Sequence, residues 1–313
     1  MLPTNAERAF ERVREFQDIF DQVIFMTDHV SPDGAVRGWW PAEERKELAA
    51  RFREIGVSTL NDYANSAEDF EEITETPESA RAFIRKIVEE CEQTGTDGID
   101  LDFEHLPAQK RFAYTDFIAQ LSEELHARGK MLSLCTHAPS RPELRHHGVK
   151  FMDLPLLAHY ADHLRPMNYD LFWPPGDAAV GPTTTAPWAR DRMTYMAQEV
   201  PRQKIVMGLP TFSVDWDVAE PERSRQVYDY EWVAERERES PIGRYWCLHW
   251  DVNLIRYTDG EGHPHLLYAS DAKSTISHLE TVDSLDLAGV CFWCLMGDDP
   301  QLWECVRGHF RRW

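Results

Sequence analysis

Residues 96–105 read Thr-Asp-Gly-Ile-Asp-Leu-Asp-Phe-Glu-His, with carboxylates at Asp97, Asp100, Asp102 and Glu104. Ile99, Leu101 and Phe103 interleave the last three. On a strand, successive side chains point to opposite faces, so Asp100, Asp102 and Glu104 share one face and the apolar residues the other. In a parallel sheet both faces are buried, and strands normally read as near-continuous apolar runs. A row of carboxylates there is costly in ionised form, and neighbouring like charges raise each other's pKa. Such surroundings keep a carboxylic acid protonated near neutral pH, which is what a general acid requires. Glu104 stands nearest the C-terminal end of this strand, the end that carries the active site in α/β barrels, and is the candidate acid. A calcium loop or a solvated acidic turn is the competing reading. Calcium loops place polar residues and glycine between their ligands, whereas Ile, Leu and Phe stand here.

The elements that must hold this row are legible along the chain. Short apolar runs alternate with longer amphipathic ones, the pattern of repeated β-α units. Seven strands are predicted, at 22–27 (QVIFMT), 57–61 (VSTLN), 98–103 (GIDLDF), 131–136 (MLSLCT), 163–169 (HLRPMNY), 204–209 (KIVMGL) and 288–293 (AGVCFW). The spacing of Phe83, Ile84, Ile87, Val88 and Cys91 predicts a helix over 76–95, capped by Thr76, opened by Pro77 and stopped by Gly95. Tyr114, Phe117, Ile118, Leu121 and Leu125 predict the next, ending at Gly129. Residues 211–268 are long, aromatic and without the repeat, and read as an insertion on the catalytic rim. No linker divides the chain, so residues 1–313 parse as one domain with one insertion.

Composition narrows the partners. The formal net charge of −21 disfavours nucleic acid and anionic lipid surfaces. No run reaches the roughly 18 apolar residues of a membrane helix. The N-terminal residues mix charges of both signs and have no apolar run, so no signal peptide is read. The expected location is cytoplasmic, with a fragment of an exported or spore-associated protein as the alternative. Six cysteines are expected to be reduced, and Cys291 and Cys294 should point to opposite faces of one strand. His146-His147 and His263-x-His265 show no ligand spacing supported by carboxylates, so no metal and no cofactor are expected. Trp39, Trp40, Trp173, Trp188 and Trp216 in loops suit either sugar stacking or plain packing.

Asp97, Asp100, Asp102 and Glu104 fill the acidic places of the DxxDxDxE signature, so the segment resembles glycoside hydrolase family 18, the chitinase family. Met167-Asn168-Tyr169-Asp170 is similar to the family's sixth-strand motif, and residues 289–293 look like its eighth strand with Trp293 in the tryptophan's place. Within the family the chain looks closest to bacterial spore-germination and cortex-lytic glucosaminidases. The resemblance implies a TIM-type (β/α)8 barrel with a small insertion between strands 7 and 8. The family's first strand has no clear counterpart here and is expected to be missing or altered, with 1–17 packed over or beside the gap. It also implies retaining cleavage of β-linked N-acetylglucosamine glycans, chitin oligomers or peptidoglycan strands, in which the substrate's acetamido oxygen is the nucleophile. By that resemblance Glu104 protonates the leaving oxygen and later activates water. Asp102 orients the acetamido N–H, Asp100 modulates Asp102, Tyr169 hydrogen-bonds the acetamido oxygen, and Trp293 floors the sugar. Met167, Asn168, Asp170 and Asn61 are expected to bind substrate. A non-catalytic lectin on the same barrel, or an inactive truncated fragment, are the alternatives; the oligomeric state is left open.

Overall fold

The computed structural model describes residues 1–29, 31–32, 40–138, 149–174, 176 and 179–310; Trp39, His146 and His147 lie outside them. Two compact units are formed, Met1–Pro166 with Tyr195–Val206, and Met167–Thr194 with Met207–Trp313.

The first unit alternates helices and strands: α1 (Ala6–Glu15), β1 (Gln22–His29), α2 (Ala42–Glu54), β2 (Ser58–Asn65), α3 (Ala67–Ile73), α4 (Pro77–Thr94), β3 (Gly98–Phe103), α5 (Arg111–His126), β4 (Met131–His137), α6 (Leu154–Tyr160) and the start of β5 (His163–Met167). The expected punctuation is present. Thr76 accepts from the Ser79 N–H, Pro77 opens α4, and Gly95 follows in the left-handed conformation at φ 66°. Ile99, Leu101 and Phe103 are fully buried, and Phe103 stacks with Phe117 of α5 at 6.0 Å.

The second unit takes over within β5 and holds α7 (Ala186–Glu199) and β6 (Val206–Pro210) in large part. It continues through β7 (Ser213–Asp217), β8 (Arg225–Val227), α8 (Tyr230–Glu239), β9 (Arg244–Cys247), β10 (Val252–Thr258), β11 (Pro264–Ala269), α9 (Ala272–Leu285), β12 (Gly289–Trp293) and α10 (Leu302–Phe310). The parallel strands run in the order β1-β2-β3-β4-β5-β6-β12. A separate antiparallel sheet has the order β8-β7-β11-β10-β9. Residues 211–268, expected as an insertion on the catalytic rim, form a sheet with one α-helix, whose core includes Val214, Trp216, Val252, Leu254 and Tyr268. The seven predicted parallel strands all form, with ends shifted by a few residues.

Seven parallel strands are present among the described residues, and the free edge at β1 is handled as expected for an altered first strand. The Met1 backbone nitrogen donates to Ile24 O at 2.8 Å, and Met1 O accepts from Met26 N at 2.9 Å. One residue therefore continues the ladder where another strand would pair. α1 then buries Phe10 and Val13, with Phe16 just after it, and Phe10 meets Phe52 of α2 edge-on at 5.2 Å.

Candidate active site

Register builds the carboxylate row of the first unit. Asp62 of β2 lies opposite Asp100 of β3, Ala64 opposite Asp102, and Asp100 opposite Ser133 of β4. Residues in register across parallel strands share a face. Asp62, Asp100, Asp102, Ser133 and Cys135 therefore line one side of the sheet, with Glu104 at the end of the row. Asp62 and Asp100 are buried. Arg165 of β5, also buried, is the counter-charge: its Nε donates to Ser133 Oγ at 2.5 Å and lies 3.2 Å from Asp100 Oδ1. With the Nε hydrogen directed to serine, the Asp100 contact is an ion pair and not a hydrogen bond.

The charge balance of this row is unfavourable, with Asp62, Asp100 and Asp102 facing a single guanidinium. Burial pushes the Asp62 carboxyl well above its usual range, helped by Asp102 and Asp100. Burial first, then Glu104 and Asp100, push Asp102 up to about 7, against a lowering hydrogen bond from the Cys135 thiol. Burial likewise drives the Cys135 thiol up, so it stays a neutral donor. Asp62 and Asp102 thus hold their protons more readily than exposed carboxylates do, as acids crowded in a low dielectric must. Glu104 is half-buried, and its Oε2 lies 3.4 Å from Nε2 of exposed His105. His105 takes φ 57°, so the backbone turns sharply just past the acid. Glu104, His105 and His137 offer ligand atoms within 4.8 Å of one another. A cation there would hold Glu104 as an anion, the wrong form for a proton donor.

Asn61 is a correction. It sits on the opposite face of β2, fully buried, accepting from Arg45 Nη1 at 3.0 Å and donating to Thr94 Oγ1 at 3.0 Å. Alternation within β2 sends it toward α2 and α4, so it braces the helices. Its neighbour on the carboxylate face is Asp62, which strand parity in residues 57–62 could have revealed.

The second unit carries the remaining expected residues. Met167 ends β5 opposite Gly208. Asn168 is buried, with its amide nitrogen 3.7 Å from Met193 Sδ of α7. Asp170, at φ 58°, accepts from Gln226 Nε2 of β8 at 2.9 Å, and its backbone N–H donates to Thr183 Oγ1 at 2.9 Å. Tyr169 and Trp293 are both partly buried against the core of the antiparallel sheet, and Tyr169 meets Phe212 edge-on at 5.9 Å. Thr211 fixes the end of β12: its N–H donates to Trp293 O at 2.7 Å and its Oγ1 to Cys294 O at 2.7 Å. The sheet that the sequence reading left without structure is therefore what backs these two aromatic rings. Asp259-Gly260 between the apolar runs 252–258 and 264–269 is the hairpin signal for it.

The family model "Glycosyl hydrolases family 18" matches residues 58–298. The chain belongs to glycosyl hydrolase family 18. The family-18 chain is 25% identical over 243 residues to the cortical fragment-lytic enzyme of Bacillus subtilis, a match covering 74% of this chain and 53% of that protein. Its fold matches the crystal structure of the Bacillus cereus spore cortex-lytic enzyme SleL at a TM-score of 0.88 and 19% identity, over 99% of this chain and 72% of the other. A class V chitinase from Nicotiana tobaccum in complex with NAG4 matches at 0.81 and 14% identity, over 99% and 97%. The architecture is the family's TIM-type fold with an added antiparallel sheet, and the chain is a glycosidase by membership. Among the described residues, no helix of this family-18 glycosidase is long and apolar enough to cross a membrane.

Proposed function

We propose that the protein is a retaining hydrolase of β-linked N-acetylglucosamine glycans that uses the substrate's own acetamido oxygen as nucleophile. The observation that carries this is Asp102, poised to gain or lose a proton at about 7 within reach of Glu104 and Asp100. An ordinary two-carboxylate retaining mechanism needs one member of the pair fully ionised as a nucleophile. Asp102 is poorly suited to that and well suited to hold an acetamido N–H and offset the positive charge that builds on the ring. Glu104, at the accessible end of the row, is the proton donor to the leaving oxygen and then the base for water. Asp100, paired with Arg165, tunes Asp102, and buried Asp62 lines the same face. Tyr169 and Trp293 take the acetamido oxygen and the apolar ring face, as the family resemblance implies. Met167, Asn168 and Asp170 shape the segment that carries Tyr169. The chain is proposed to act as one catalytic domain.

The name of the cortical fragment-lytic relative speaks for peptidoglycan fragments as substrate, and the chitinases for chitin oligomers. The experiment is Glu104→Gln, assayed on both by product mass. Turnover is expected to fall by about two to four orders of magnitude with binding retained. Near-wild-type turnover in the variant would remove Glu104 from the acid role.

A further inference from the structure

The antiparallel sheet holds a second group of ionisable side chains that the glycosidase reading does not use. Asp217 ends β7, Asp259 begins the turn after β10, and His265 lies on β11 in register with Asp217. Asp217 and His265 are buried, His265 to nine-tenths. The imidazole of His265 is fixed on two sides. It stacks on Tyr257 at 4.6 Å between ring centroids. Its Nδ1 lies 3.1 Å from Asp215 Oδ1, and the other oxygen of Asp215 accepts from Tyr257 Oη at 2.9 Å. With Nδ1 committed to a carboxylate, the neutral ring presents an electron pair at Nε2.

That Nε2 has no hydrogen-bond partner among the described residues. It points at Asp259 Oδ2, 3.6 Å away, and Asp217 Oδ2, 3.8 Å away, both beyond hydrogen-bond length. The remaining oxygens of these carboxylates are spoken for. Asp217 Oδ1 accepts the N–H groups of Ala219 and Glu220 at 2.9 and 2.8 Å, and Asp259 Oδ1 those of Glu261 and His263, both at 2.9 Å. His263 Nδ1 adds a contact of 3.1 Å to Asp217 Oδ2 from the outer side. Arg223 lies nearby, its Nε 3.9 Å from Asp217 and its Nη2 4.0 Å from Asp259, but it is anchored by Glu261 at 2.6 Å.

We propose that Asp217 Oδ2, Asp259 Oδ2 and His265 Nε2 bind a divalent cation of the zinc class, with Asp215 orienting His265 and His263 supporting Asp217. Two nitrogen or oxygen ligands at tetrahedral zinc stand ~3.4 Å apart, so the 3.6 and 3.8 Å spacings need only a slight closure. An imidazole with two carboxylates suits zinc and disfavours magnesium, which prefers oxygen ligands alone. A histidine whose other nitrogen donates to a carboxylate is the usual way a protein orients such a ligand. Sequence spacing missed the group because its carboxylates come from a strand and a turn that only folding brings to His265. The ion would tie the β10–β11 turn to the end of β7.

The test uses the full chain, freed of metal by chelator and titrated with zinc chloride by calorimetry, with thermal melting alongside. The expected result is one zinc ion per chain and a melting temperature that rises with free zinc. Asp259→Asn keeps the oxygen that caps the turn and alters only Oδ2; it should weaken binding by at least about 100-fold. Asp215→Asn should weaken it about 10- to 100-fold through His265 alone. Circular dichroism reports folding of each variant, and if Asp215→Asn unfolds, Asp259→Asn decides. The proposal is overturned if wild type takes up no zinc, if magnesium gives the same response, or if Asp259→Asn binds zinc as tightly as wild type.

Discussion

Replacing Asp102 with asparagine should make the protein more stable at alkaline pH while disabling it. Asp102 carries a folded-state pKa of about 7 against an ordinary value of 3.8, chiefly because burial penalises its anion. The folded chain therefore holds a proton between those two values that the unfolded chain has released. Stability falls as pH rises through that window and levels off above 7. At 1.36 kcal/mol per pKa unit the full penalty is about 4 kcal/mol at pH 8, and less than half of it is present at pH 5. Asparagine does not titrate, keeps the shape, and retains an oxygen to accept from the Cys135 thiol. Urea unfolding of both proteins at pH 5 and pH 8 should show the gap in favour of Asp102→Asn widening by about 3 kcal/mol toward pH 8. Hydrolysis should drop by orders of magnitude at both. A stability gap that does not grow with pH would refute the buried-anion argument, whatever happens to activity.

Asn61→Ala should destabilise by about 1–3 kcal/mol, since it strands a donor of buried Arg45, yet leave substrate affinity unchanged; Asp62→Asn should do the reverse, altering the pH profile of turnover with little loss of stability. Denaturant melts beside kinetics separate the two. Phe10→Ala should cost about 3–5 kcal/mol by emptying the contact with Phe52, and a truncation starting near Asp18 should add self-association by baring the β1 edge, visible by light scattering. A thiazoline analogue of the oxazolinium intermediate should inhibit, and glucose oligomers lacking the acetamido group should resist cleavage; efficient cellulose-oligomer hydrolysis would contradict substrate assistance.

Much of this was readable from residue order because it depends on local periodicity. The alternation at 98–104, the cap at Thr76 and the stop at Gly95 each encode their geometry within a few residues. Asn61 was misplaced because family position outweighed strand parity: its neighbour Asp62 faces the carboxylates, and register with Asp100 makes that visible. The antiparallel sheet was missed in two ways: the local hairpin signal at Asp259-Gly260 was passed over, and the β7–β11 pairing, such as Trp216 with Leu266, spans 50 residues. Charge sharing was legible only in kind. That Arg165 pairs with Asp100 depends on a strand more than 60 residues further along the chain.

The two faces of β3 also divide evolutionary labour. Ile99, Leu101 and Phe103 answer to folding, whereas Asp100, Asp102 and the adjoining Glu104 answer to chemistry, and the two sets never share a position. The same arrangement makes the gene intolerant of a single-codon deletion there. Losing one residue of 98–103 would turn every later side chain of the strand over, sending phenylalanine toward the sugar and carboxylates into the helices.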